Sequence, residues 1–428
     1  MSKKFEELFN YIQSLTIIDT HEHLPAFEDN REQGIDFLYE YLNHYFSSDL
    51  VSSGMPVEML EEVRDSSKPL PERWKKVEPW WNNARNTGYG RALDLSVKIL
   101  YGIPGINSAT IEAVDEAFRK SLNPGHYRRV LKEYCRIHTS ILHHDPDRKY
   151  RGGLVCDRDF YTPVFDVYEW VHPLSIESMK TGAKKYGISL HRLEDWEEAC
   201  KRALDEACRT GIAGIKSLLA YERTLAYPRP SYAEAEQAFS EAIAKNISRE
   251  TPRPAPSVLF ENHMMHFICR IAEERGLTFQ VHTGLQEGNG NCLAYSNPLL
   301  LTNLIHEYPE LKFDLFHISY PWYMELAALA KQHQNVYIDM CWAHIISPQS
   351  SVLALSEYLD SVPANKISAF GGDYTFIDGV AGHLHIAREN VARALDNKIE
   401  LGIFDLDGAK DIAGKLFYSN PAALYGIM

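Results

Sequence analysis

Several features are scarce or missing in this chain, and each absence excludes something. No stretch approaches the roughly 20 consecutive apolar residues of a membrane-spanning helix. The opening MSKKFEELFNYIQSL mixes charged and apolar residues at helical spacing and has no uninterrupted apolar core, so it does not read as a secretory leader. Cysteines number only seven among 428 residues, scattered from Cys135 to Cys341 with no CxxC pair. That pattern predicts reduced thiols and a cytoplasmic protein. Basic residues are in deficit, 44 against 58 acidic, for a net charge of −14. An acidic surface argues against nucleic-acid and anionic-membrane partners and leaves a small-molecule substrate as the expected partner. There is no P-loop, no glycine-rich dinucleotide turn and no GxSxG elbow.

What is present falls into two regimes. From Phe27 to about Glu133 the pattern is helical, in runs such as DFLYEYLNHYF, PERWKKVEPWWNNA and ATIEAVDEAFRKSL, punctuated by proline and glycine. From about Cys135 short apolar or β-branched runs alternate with helical ones. The strand candidates are RIHTSIL, GGLVCD, AGIKSLLA, LTFQVHTG, KFDLFHIS, NVYIDMCW and ISAFGGD. With LTIIDTH as the first, they number eight. This alternation predicts a parallel sheet, and eight βα units predict a (β/α)8 barrel across 1–428 with a helical insertion at about 27–133, after the first strand. A homo-oligomer is the expected assembly.

The polar residues at the ends of these runs carry the chemistry. His21 and His23 follow TIID as an i, i+2 pair, which on a strand shares one face and on a helix diverges. His282 ends LTFQVH, His317 ends KFDLFH, Asp373 ends ISAFGGD, and Lys216 lies in AGIKSLLA. Barrel active sites form at the C-terminal ends of strands. Several metal-ligand types gathered there need partners that packing does not provide, and a metal does. Asp19, two residues before His21, is expected to support the site as an acceptor.

These motifs resemble the amidohydrolase superfamily: DTHEHL after the first strand, with His282, His317 and Asp373 after the fifth, sixth and eighth. GIKSLLAYER and LFYSNPAALYGI resemble its nodulin-related, amidohydrolase-2 branch, and the insertion with LNHYFSSDLVSSGM is similar to uronate isomerases. The segment FGGDYTFIDG differs from the serine- and arginine-rich one associated with those isomerases. The resemblance implies a divalent metal held by His21, His23, His282 and Asp373, zinc first, with manganese, nickel or iron as alternatives. It implies Asp373 as general base and His317 polarising the substrate or binding a second metal. Lys216 is either a carboxylated bridge or, preferred here, a cation for a substrate carboxylate. Tyr221 and Arg223 are candidate substrate contacts. The implied activity is hydrolysis of a small polar amide, with sugar-acid isomerisation or decarboxylation as the alternative. Other conspicuous histidines read as bland: His143 and His144 as solvated turn residues, with a rim role as the alternative, His263 and His266 on a helix face, and His383 and His385 in capping or packing, with a site contact by one of them as the alternative. The Trp80–Trp81 pair is expected to pack the insertion.

Overall fold

The computed structural model describes residues 3–143, 155–245 and 255–427. Eight parallel strands run in sequential order: β1 Ile17–Glu22, β2 Ile137–Leu142, β3 Tyr161–Asp166, β4 Gly214–Ser217, β5 Thr278–Val281, β6 Lys312–Leu315, β7 Val336–Asp339 and β8 Ile367–Ser368. The segment after β8 returns to β1. Thr20 donates its backbone N–H to Phe370 at 3.0 Å, Asp373 donates to His21 at 2.8 Å, and His23 donates to Tyr374 at 3.0 Å. These bonds bring the two ends of the sheet together in a (β/α)8 barrel.

The third strand lies elsewhere than expected. Residues 155–157 of GGLVCD form no strand, and the rest of that run lies outside the described residues. The strand is YTPVFD, whose proline argued against it. Pro163 precedes the ladder to β4, which begins at the Val164–Gly214 pair, so the missing N–H removes no bond from it. The Pro163 carbonyl still accepts from Ala213 at 2.8 Å.

Between β1 and β2 stand the inserted helices, among them Phe37–Tyr41, Tyr45–Ser52, Leu70–Ala84, Gly88–Tyr101 and Ile111–Ser121. Local chemistry sets their ends. Asp36 caps the first by accepting from Tyr39 N–H, Thr87 caps Gly88–Tyr101, and Gly102 ends that helix in the left-handed region at φ 71°. Trp81 is fully buried against Phe46 and Trp74, as packing predicts, with ring centroids 4.6 and 5.3 Å away.

The insertion docks on helix Ile377–Glu400, which follows β8. Tyr41, Tyr101 and His126 converge on the buried Asp378 carboxylate, with His126 Nε2 at 2.6 Å. At Gly382 the two backbones approach so closely that a Cβ would lie 1.9 Å from the Ala92 carbonyl. Gly382→Ala therefore forces the helices apart, and overpacking of this kind costs about 1–3 kcal/mol. Urea unfolding of this variant should show a lowered midpoint; an unchanged midpoint would mean that the insertion docks through other contacts.

Candidate active site

The site begins with the backbone of β1. Asp19 is fully buried, and its Oδ1 accepts from the N–H groups of His21 (3.2 Å) and Gly372 (3.0 Å) while Oδ2 accepts from Ser140 (2.9 Å). It holds the chain carrying the first two histidines rather than their rings. The ring of His21 is oriented from across the barrel. Gln280 donates its amide N–H groups to the Thr20 carbonyl and the Tyr425 hydroxyl, so its oxygen accepts from His21 Nδ1 at 3.0 Å. His21 Nε2 is then a bare lone pair, buried and without a hydrogen-bond partner among the described residues. It lies 3.7 Å from Asp373 Oδ1, and His23 Nε2 lies 3.2 Å from the same oxygen.

On the facing strands, His282 and His317 are each fastened by one nitrogen to a backbone carbonyl, His282 Nε2 to Leu285 and His317 Nδ1 to Cys341, both at 2.9 Å. A carbonyl only accepts, so each of those nitrogens carries hydrogen. The remaining nitrogens face one another 3.1 Å apart. Burial pushes the His317 pKa down to about 4 and, with His317 and Lys216 adding, that of His282 well below its ordinary value. Neutral rings in this arrangement oppose two lone pairs, which repel unless a cation or proton lies near both. His317 Nε2 is also 3.9 Å from Asp373 Oδ2.

Asp373 sits at the junction of both histidine pairs. Burial opposes its charge, but the His23 hydrogen bond and the neighbouring imidazoles outweigh this and hold its pKa well below the carboxylate range. Its φ is 57°, and His317 and Trp342 also have positive φ, at 62° and 59°. For residues with a Cβ such backbone costs about 1–3 kcal/mol each and clusters at functional sites. Tyr45, from the insertion, donates its hydroxyl to the Asp373 carbonyl at 2.5 Å.

Lys216 is completely buried; its ammonium has no hydrogen-bond partner and lies 3.6 Å from the centre of the Phe316 ring. Burial lowers its pKa to about 8, against the opposing pull of Asp373. The Tyr221 ring packs 4.7 Å from that of His282, and its hydroxyl accepts from Glu287 N–H. Arg223 differs from expectation. It is buried, and its guanidinium donates to Glu261 (2.9 Å), Asn262 (2.6 Å) and the Thr224 and Ala226 carbonyls. Those acceptors hold the fork that was expected to meet a substrate carboxylate.

His143 corrects the reading of a solvated turn, while His144 lies outside the described residues. His143 is only 5% exposed, and its ring centroid is 5.5 Å from that of His21 and 5.0 Å from that of His23. The signal was present: it is the first residue after β2, the same strand-end position as the other histidines. His263 bonds Glu197, His266 bonds Tyr308 and the Tyr227 carbonyl, and His385 packs edge-on against Phe9. His383 is buried with Nδ1 on the Gly372 carbonyl, behind the loop that carries Asp373.

This donor set suits a divalent cation. It offers an unpartnered buried imidazole nitrogen, two opposed imidazole lone pairs and an ionised carboxylate between them. Donor atoms of His21, His23 and His143 lie within 4.8 Å of one another, as do those of His317, Cys341 and Asp373.

Residues 193–427 match the family model for amidohydrolases. Protein fluG of Emericella nidulans is 26% identical over 229 residues, covering 52% of this chain and 26% of that protein. A uronate isomerase of Cutibacterium acnes is 24% identical over 186 residues, 40% of each chain. This chain thus matches less than half the length of either relative. In three dimensions the glucuronate isomerase of Caulobacter crescentus superposes with a TM-score of 0.78 at 17% identity, covering 99% of this chain and 94% of that one. That likeness is one of fold. Among the described residues no helix is long and apolar enough to cross a membrane.

The scaffold behind β8 makes a pH prediction. His344 Nε2 donates to the Ala369 carbonyl, and its Nδ1 faces the Asn390 amide, which fits only a neutral ring. Burial lowers its pKa from 6.5 to about 4. Between those values the unfolded chain binds the proton and the folded chain does not, so this contribution is complete above pH 6.5 and lost as pH falls toward 4. The stability advantage of wild type over His344→Gln should shrink by up to about 3 kcal/mol across that window. Urea unfolding of both proteins at each pH measures it, and a constant gap would refute the neutral assignment.

Proposed function

The chain belongs to the amidohydrolase family, and from that membership we propose a metal-dependent hydrolase acting on a small amide or related compound that bears a carboxylate. The observation that carries the reading is the convergence on Asp373 of imidazole nitrogens from β1 and β6, one of them buried and unpartnered. His21, His23, His282 and Asp373 would hold the cation, zinc first. Bound there, a divalent metal supplies Lewis acidity and lowers the pKa of a water toward about 7.

The chain's own groups do the rest. Asp373, kept ionised, accepts a proton at a carboxylate oxygen from the attacking water and returns it to the departing nitrogen. Its backbone is pinned from both sides, by the His21 carbonyl and by the Tyr45 hydroxyl, so the carboxylate keeps its aim. His317 faces the same carboxylate and is placed to polarise the scissile carbonyl. Lys216, buried and without a hydrogen-bond partner, suits an anionic substrate group, whose charge would favour the ammonium form. Tyr221 lines the same wall beside His282. All seven cysteines are unpaired, which supports the expected cytoplasmic setting.

A second reading is favoured by one observation. The insertion and barrel together align along nearly the whole length of a glucuronate isomerase. Asp373 would then carry a proton between adjacent carbons of a sugar acid instead of from water to nitrogen. Product analysis on N-acyl and γ-glutamyl compounds, uronates and aromatic acids separates the readings. Release of amine and acid supports hydrolysis; aldose-to-ketose conversion without bond cleavage replaces it.

Asp373→Asn keeps size and one oxygen but cannot accept the proton. Loss of kcat by at least about 10²–10⁴-fold is expected in protein that still takes up metal. Turnover at the wild-type rate would leave Asp373 a structural residue. His21→Ala should lose both metal and activity, read by elemental analysis.

For Lys216 the expected signature is different. Lys216→Met should raise KM for a carboxylate-bearing substrate more than it lowers kcat, leaving metal content near one per chain. Loss of metal in this variant would instead indicate the carboxylated bridge.

A further inference from the structure

We infer that His143 is a further imidazole ligand of the cation site at the end of β1, aimed by Asp166. The inference rests on the metal-dependent reading above and adds a residue and an orienting group to it. His143 follows β2, and its backbone N–H donates to the Glu22 carbonyl at 2.8 Å, which fixes the loop against the end of β1. Its Nε2 lies 3.2 Å from Asp166 Oδ2 at the end of β3. The other oxygen of Asp166 accepts from the Tyr168 N–H at 2.7 Å, so the carboxylate is itself held. A carboxylate on Nε2 places hydrogen there and leaves Nδ1 as the lone pair.

That Nδ1 is buried and has no hydrogen-bond partner among the described residues. An unsatisfied buried polar atom costs about 1–3 kcal/mol; His44 Nδ1 and His383 Nε2 carry such a bare nitrogen too, and what sets His143 apart is that it gathers with His21 and His23 as potential donors to one cation. His21 shows the same construction from the opposite side: Nδ1 tied to Gln280, Nε2 bare. One ring nitrogen from each of His21, His23 and His143 lies within 4.8 Å of the other two. A carboxylate or amide oxygen behind one nitrogen and an open lone pair on the other is how proteins orient metal-binding histidines. Three strands, β1, β2 and β3, thus build one half of the site, and neither His143 nor Asp166 stands in the motif that marks the family resemblance.

The test reads metal binding rather than turnover. Full-length wild type, His143→Gln and Asp166→Asn are stripped of metal and titrated with zinc against a chromophoric chelator, and their cobalt forms are compared by visible absorption. His143→Gln should bind zinc at least about 10-fold more weakly and shift the cobalt bands. Asp166→Asn leaves the ring in place but loosens its aim, and should lose about 10–100-fold in affinity. Equal affinity and unchanged cobalt spectra in both variants overturn the ligand role while leaving the metal-dependent reading intact. A wild-type protein that takes up no cation overturns both. Should His143→Gln fail to fold by circular dichroism, Asp166→Asn decides, since its ring and packing are retained.

Discussion

The joint between β1 and the segment after β8 is the constraint on which the site depends. β1 has six residues, but β8 has only two in regular geometry. Their ends are held by three backbone bonds and by Asp19, whose one oxygen accepts from an amide on each side. Gly372 is required at that point: a Cβ there would lie 1.8 Å from Glu22 Oε1. The result is that His21 and His23, near the start of the chain, face Asp373 across a single hydrogen-bonded step. The positive φ of Asp373 follows from the same joint, because the chain must turn its carboxylate inward immediately after bonding to His21.

Burial at this joint sets the charges. Asp19 and Glu22 lie side by side out of water, and burial raises both pKa values, Glu22 the more strongly because Asp19 is beside it. A protonated Glu22 donating to Asp19 leaves one negative charge where two would repel. Asp314 and Asp339, deeper in the barrel, make a similar pair, with the Tyr425 hydroxyl on Asp314. A proton shared within each pair lowers its negative charge relative to two free carboxylates. Asp373 remains an ionised carboxylate among the histidines, as the role proposed for it requires.

Much of this was readable from sequence because the signals were local. Eight apolar runs, a single long helical interval and polar residues closing several runs follow from strand periodicity and from where barrels put their chemistry. The failures have particular causes. The third strand was placed in GGLVCD, and YTPVFD was not read as a strand, although the lost N–H of its Pro163 does no harm ahead of the β4 ladder. His143 was set aside because HHDPD looks like a turn, although the ring belongs to the strand end before it. Arg223 looked available because its partners, Glu261 and Asn262, are nearly 40 residues away in sequence. Gln280 carries no motif, and Tyr45 lies in LNHYFSSDLVSSGM, from which no site role was read. Gln280 shares the inward face with His282 by alternation, but its partner His21 is 259 residues distant.

Tyr45 shows what the insertion contributes beyond packing. Its ring stacks on Trp342 at 4.5 Å while its hydroxyl holds the Asp373 carbonyl, and Asn289 in the loop after β5 donates to the Ser48 carbonyl of the same helix. The inserted helices are therefore attached to the mouth of the barrel at two points. Hydrolysis and isomerisation can share the same cation ligands and the same carboxylate base, since each needs a proton moved beside a polarised oxygen. The groups that differ between such reactions are those that place the substrate: which carbon faces Asp373, whether a water fits beside it, and where the carboxylate is held. The walls proposed for this chain are Tyr45, Trp342, Tyr221 and Lys216, two of them on segments with strained or inserted backbone. Barrel strands of one family can thus be kept while the chemistry changes, because the choice of reaction is made by the roof and the walls.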